Sequence, residues 1–359
     1  VNKIPAGGGY QFLQNIHFLH FRTFLKICGN FGRTDEFLNK MSADERLLLI
    51  GLLTKNLEAE KYNPSEVIFV AEAIPGFTNP TDRGVINTTI KSEFERLQKA
   101  NDGTGMLLYG LLASVIQKSV VAEKNWFQQI SNSFELPLID RIKISDLVNQ
   151  NHQCIQQHFF YDDEDGRSSF ANFMACFKSM PNYTIESFES YVEITSTGGV
   201  NKVMIFANKP EYEQNGMNEI QKVLKLNNWE PTVIVHRGHS FHTEKTLNII
   251  PENTKLLIVG SCGGYYKLPI AIERAPDAHI ISTKQIGTMR VNDPIIKLTC
   301  EKIRLNQDIV WVDFWKEVEL LVGKTPMFYD YVPPNKNLGS LFLNAYYKAI
   351  DLASLKDLN

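Results

Sequence analysis

The chain has 359 residues, enough for a sizeable buried core and, on size alone, for two domains; 37 Lys and Arg against 40 Asp and Glu leave a net charge of -3. That balance lacks the basic footprint that neutralises phosphates, so no nucleic-acid ligand is expected, and no apolar run reaches the length of a membrane span. Five cysteines, at 28, 154, 176, 262 and 300, form neither a CxxC pair nor a short-range pairing pattern, which argues against a disulfide scaffold, a zinc ribbon or a thioredoxin-like redox pair. No charged start followed by an apolar stretch stands at the beginning of the sequence, and a cytoplasmic setting is the expectation.

From about residue 10 to 150 the apolar spacing is mostly helical. Phe12, Ile16, Leu19 and Thr23 share one face of a first segment, and Leu47, Ile50 and Leu53 mark a later one. Ser42 followed by Glu45 reads as a capping box ahead of that apolar run. Pro64, Pro75, Pro80 and the Asn101 to Gly105 cluster punctuate further helices, and Trp126 to Phe134 closes the set. Little polar chemistry converges in this stretch, so residues 1–150 are expected to form an α-helical accessory domain.

Near residue 155 the pattern changes. Gln157 to Tyr161 is short, aromatic and stops at the acidic turn Asp162-Asp163-Glu164-Asp165-Gly166, after which Phe170, Phe173, Met174 and Phe177 recur at helical spacing. Two strands follow, Tyr191 to Thr195 and Val203 to Ala207, joined through Gly198-Gly199, and then a helix with Met217, Ile220, Val223 and Leu224 on one face. Three apolar runs come next: Val233 to Val235, Leu256 to Gly260 and His279 to Ser282. Continuous apolar runs between helical patterns predict an α/β domain over residues 151–359, its mainly parallel sheet flanked by helices. Ligands gather beyond the carboxyl ends of the strands in such sheets. Ile309 to Trp315 reads as core or a late strand, and Tyr331-Val332-Pro333-Pro334 as a surface connection.

The reactive clusters fall at those strand ends. His236-Arg237-Gly238-His239-Ser240 directly follows one apolar run, and Gly260-Ser261-Cys262-Gly263-Gly264 directly follows the next. A thiol needs a nearby base to become a thiolate at neutral pH, and a histidine on the neighbouring strand end supplies one. Flanking glycines let backbone amides face the site, as a developing oxyanion requires. Either cluster alone reads as a structural histidine or a tight strand-to-helix turn; their joint placement favours a His/Cys dyad. Zinc ligation by His236, His239, His242 and Cys262 is the competing reading, disfavoured because His236 and His239 would point to different faces of a continuing strand. No metal or other cofactor is expected.

Together the two clusters resemble the caspase-like clan of cysteine peptidases, which includes caspases, legumains, gingipains, clostripain and separases. There one apolar strand ends in a His-Gly or Gly-His-Gly element and the next in a small residue before the catalytic cysteine; here Gly238-His239-Ser240 and Ser261-Cys262 stand in those places. The resemblance covers roughly residues 155 to 320, with Ser240 where glycine is usual and a shorter His-to-Cys interval. It implies a caspase-like fold, a peptide or protein substrate, Cys262 as nucleophile, His239 as general base or acid, and the amides of Gly238 and Cys262 as oxyanion donors, with His236 a weaker candidate for the base. It also implies that the turn after the first strand sets specificity, so that Asp162, Asp163 and Asp165, Asp163 foremost, would receive Arg or Lys; a solvated turn or a calcium loop is the alternative. Lys284 and Gln285, after a later strand, are candidates for the substrate groove. The competing functions are an inactive scaffold or sensor of the same fold and a thiol hydrolase acting on non-peptide acyl groups.

Overall fold

The computed structural model describes residues 1–16, 24–25, 27–29, 32–60, 64–117 and 124–356; Leu19 and Thr23, expected on the first helical face, lie outside them. The chain divides into two units, Val1–Pro137 with Leu341–Asn359, and Leu138–Ser340.

In the first unit the described elements are helices: α1 Gly9–Asn15, α2 Thr34–Leu38, α3 Ala43–Thr54, α4 Pro64–Ala73, α5 Pro80–Lys99, α6 Gly103–Gln117 and α7 Lys124–Ser133, with short 3-10 turns and the greater part of the C-terminal helix Leu338–Lys356. The start of α3 follows from its sequence. The Ser42 hydroxyl accepts from the Glu45 amide and the Glu45 carboxylate accepts from the Ser42 amide at 2.7 Å, so two otherwise orphaned donors are satisfied. Tyr109 of α6 is buried, and its hydroxyl donates to Thr54 O and accepts from Leu57 N, which fixes α6 against the end of α3.

The second unit is built on an eight-stranded sheet. Its strands are β2 Gln153–Phe160, β3 Tyr183–Ser187, β4 Tyr191–Ser196, β5 Lys202–Asn208, β6 Val233–Arg237, β7 Leu256–Val259, β8 His279–Thr283 and β10 Tyr331–Val332, in the spatial order β10-β8-β7-β6-β2-β5-β4-β3. The five central strands, β8-β7-β6-β2-β5, run parallel, and β10, β4 and β3 pair antiparallel at the two edges. A separate ribbon pairs β1 Arg141–Ile142 with β9 Ile309–Val310. The central strands are buried along their length because helices cover both faces. On one face Val203, Ile205, Val233, Val235, Ile258 and Ile281 pack against α8 (Glu164–Lys178), α12 (Met289–Arg304) and α13 (Trp311–Val322). On the other, Ile155, Met204 and Phe206 pack against Ile220 and Leu224 of α9 (Glu213–Leu226). Each such fully buried side chain stabilises by about 1.5–3 kcal/mol relative to exposure.

Several elements depart from the sequence expectation. The boundary lies at 137/138 rather than 150/151, because Ile142, Ile144 and Leu147 enter the sheet unit's core while the last 19 residues, Leu341–Asn359, join the helical unit. Tyr331 and Val332 form a buried edge strand rather than a surface connection, paired with Thr283 and Ser282. Ile309 to Trp315 is only two residues of strand before α13 begins at Trp311. α12 starts at Met289, capped by the Thr288 hydroxyl, and carries Pro294 inside it. β3 escapes the alternation test because, apart from Tyr183, its residues are half-buried or exposed. Between β6 and β7 the crossover helix shrinks to α10, Thr243–Leu247, and α11, Leu268–Arg274, lies between β7 and β8.

Candidate active site

β6 and β7 are parallel neighbours, and their pairing aligns His236 with Val259. His239 and Cys262 each lie three residues beyond that matched pair, so both leave the sheet at the same level, from adjacent strands. A hydroxyl–hydroxyl bond of 3.0 Å between Thr243 and Ser261 ties the two strand-end loops together.

The β6 loop sorts its histidines by burial. His236 is fully buried, its Nδ1 2.7 Å from the Thr246 hydroxyl and its Nε2 3.3 Å from the Thr243 hydroxyl; loss of hydration pushes its pKa down to about 3, so it stays neutral. Arg237 turns to the opposite face, 1% exposed, and pairs with Asp293 of α12 at 2.5 Å. At Gly238 φ is +143°, a conformation open to glycine, and the Tyr161 ring lies 3.4 Å from where a Cβ would stand. That turn swings His239 outward into solvent. Its Nε2 is 3.3 Å from Asp165 Oδ2 and its ring stacks on Phe241 with centroids 5.3 Å apart. Nδ1 of His239 has no partner among the described residues. His242, stacked on Tyr161 at 4.3 Å, places Nε2 3.1 Å from Asp163 Oδ2, and burial lowers its pKa.

The β7 loop is braced from several directions. The Gly260 carbonyl accepts from Asn292 Nδ2 at 3.1 Å; the Ser261 carbonyl accepts from the Thr283 hydroxyl and from the Gly264 amide; the Gly263 amide donates to the Gln285 carbonyl at 2.8 Å. Tyr331 locks the bracing loop, its hydroxyl donating to Asn292 Oδ1 and accepting from Thr288 N. Gly287 must be glycine, since a Cβ there would collide with the Gly260 carbonyl. In the middle of this frame Cys262 is exposed, and among the described residues neither its amide nor its thiol has a hydrogen-bond partner. The other four thiols are less accessible, and burial raises the pKa of each, that of Cys154 to about 12.

The acidic turn after β2 comes apart into three separate tasks. Asp162 pairs with Arg167 at 2.8 Å; Asp163 caps α8, accepting from the Gly166 amide, and faces His242; Asp165 faces His239. Each of the three therefore meets a partner from within the chain. Lys284 and Gln285 do sit at the cysteine turn, Gln285 through its carbonyl and Lys284 with its ammonium 5.4 Å above the Tyr265 ring. Among the described residues no group of three or more His, Cys, Asp or Glu is placed to hold a metal ion.

Sequence reasoning missed Thr243, Thr283, Asn292 and Tyr331, whose residue types carry no signal until folding brings them to the turn. It also missed three exposed apolar side chains on the site's loops, Phe241, Tyr266 and Ile286. No family model, curated protein or solved structure matches the chain.

Proposed function

We propose that this protein is a cysteine-dependent endopeptidase of caspase-like fold, with Cys262 as nucleophile and His239 as its base. The observation that carries the reading is the strand pairing: adjacent parallel strands release an imidazole and an accessible thiol at equal distance from one matched residue pair. Asp165 engages Nε2, so Nδ1 of His239 is the nitrogen left for the role of base.

The chemistry follows from those roles. His239 takes the Cys262 proton; the thiolate attacks the peptide carbonyl carbon, and the tetrahedral oxyanion meets the backbone amides of Cys262 and Gly238. Collapse breaks the C–N bond as His239 returns the proton to the leaving amine, leaving a thioester. A water deprotonated by His239 then attacks the thioester, releasing a carboxylic acid and restoring the thiol.

Alkylation tests the dyad directly. At pH 7 an iodoacetamide probe should label Cys262 at least about tenfold faster than the four thiols that burial holds protonated. His239→Ala should remove that advantage and lower peptide cleavage by about a hundredfold or more, the range for a general base. Labelling of Cys262 that ignores His239 would return the chain to the scaffold reading, and cleavage of small thioesters or esters alone would point to the non-peptide acyl hydrolase.

A further inference from the structure

Three large apolar side chains stand exposed on the loops that carry the proposed dyad and brace it. Phe241, on the β6 loop, is 67% exposed; Tyr266, four residues after Cys262, is 40% exposed; Ile286, on the loop after β8, is 51% exposed. Each lies against the proposed machinery. The Phe241 ring stacks on His239. Tyr266 Cδ2 lies 2.9 Å from where a Cβ on Gly263 would stand. Ile286 directly follows Gln285, whose carbonyl holds the Gly263 amide, and its own amide donates to Asp330 Oδ2 at 3.1 Å, which fixes the backbone that presents the side chain.

Five carboxylates on the nearby loops are matched within the chain. Asp162 meets Arg167, Asp163 meets His242, Asp165 meets His239, Glu213 meets Lys245 and Glu244 meets Lys267. A basic substrate side chain would have to displace one of these partners, whereas an apolar one covers surface that water now covers at a cost. Loops held in place by hydrogen bonds within the chain and still presenting apolar side chains are suited to recognition by burial.

We infer that the peptidase selects a large apolar or aromatic residue beside the cleaved bond, with Phe241, Tyr266 and Ile286 forming the subsite. This rests on the endopeptidase reading above and names its substrate class. Ile286 is the specificity-determining position that can be varied without touching His239 or Cys262.

The test uses the full chain and an internally quenched peptide library varied at one position, with products identified by mass. Cleavage beside Phe, Leu, Tyr or Met is expected to exceed cleavage beside Arg, Lys, Asp or Asn by about tenfold or more in kcat/KM. Ile286→Ser, and Tyr266→Ser as a second variant, should raise KM for the preferred peptide by about tenfold, with kcat and the alkylation rate of Cys262 little changed. Preference for Arg or Lys, or an Ile286→Ser enzyme with unaltered KM and selectivity, overturns the apolar subsite while the endopeptidase stands. Absence of any peptide cleavage, with Cys262 labelling indifferent to His239, overturns the subsite and the endopeptidase together.

Discussion

A half-exposed imidazole rotates about two side-chain bonds unless something fixes it, and at His239 the fixing group is the Asp165 carboxylate, 3.3 Å from Nε2. Both partners are solvent-accessible, so the contact is worth about 1 kcal/mol or less. Asp165→Asn should therefore lower kcat about fivefold with KM little altered, while alkylation of Cys262 slows by a similar factor. Loss as large as that of His239→Ala would instead make Asp165 part of the chemistry. His239 and Cys262 were readable as candidates because their residue types and glycine neighbours are unusual at strand ends. Asp165's neighbour was not readable, since Asp162, Asp163 and Asp165 look alike in sequence and only the turn's geometry gives each a different partner. His236 and His239 pose the same problem three residues apart: one is sealed near the end of a central strand with its pKa driven to about 3, the other stands in solvent.

Among the elements, the loop between β8 and α12 does for the cysteine turn what β6 does for the histidine. It reaches the turn through the Gln285 carbonyl, Asn292 and the close approach of Gly287. Gly287→Ala forces a methyl group into the Gly260 carbonyl, an overpacking cost of about 1–3 kcal/mol. For a unit of this size the melting temperature should fall by roughly 3–10 °C, and Cys262 should lose its alkylation advantage in protein that remains folded. A fall in melting temperature with Cys262 reactivity intact would show that the loop supports stability alone. Here the sequence marked Lys284 and Gln285 after a strand but not the turn that the Gln285 carbonyl braces. The bond from Gly263 to Gln285 spans 22 residues and depends on β7 and β8 being neighbours. The edge strand β10 was hidden for a related reason, since two residues carry no periodicity and Tyr331 belongs to the sheet through its pairing with Thr283.

For the sheet unit as a whole, three imidazoles, two fully buried and one half-buried, govern the response to acid. Burial holds His158 and His236 at about 3 and His279 at about 4, against 6.5 for an exposed ring. Between those values the unfolded chain binds protons that the folded chain refuses. Stability is therefore full above about pH 6.5 and lost as pH falls toward 4, with a slope approaching 4 kcal/mol per pH unit once all three rings titrate in the unfolded state. Urea unfolding followed by hydrogen exchange of β6 and β7 amides should show this loss, and His236→Asn should reduce the slope by about a third. A stability independent of pH from 7 to 5 would mean that these rings take up protons as readily in the folded state as in the unfolded one.

By itself the sequence determined the things that depend on local pattern. Apolar runs bounded by glycine and polar residues gave the parallel strands β6, β7 and β8, the capping box gave the start of α3, and two unusual strand-end clusters marked His239 and Cys262. Tertiary structure alone decided which strands are neighbours, which of two nearby histidines is exposed, what each aspartate of the acidic turn meets and which apolar side chains of the site's loops stand exposed. Those outcomes come from packing between residues distant in the chain, and no short-range periodicity encodes them.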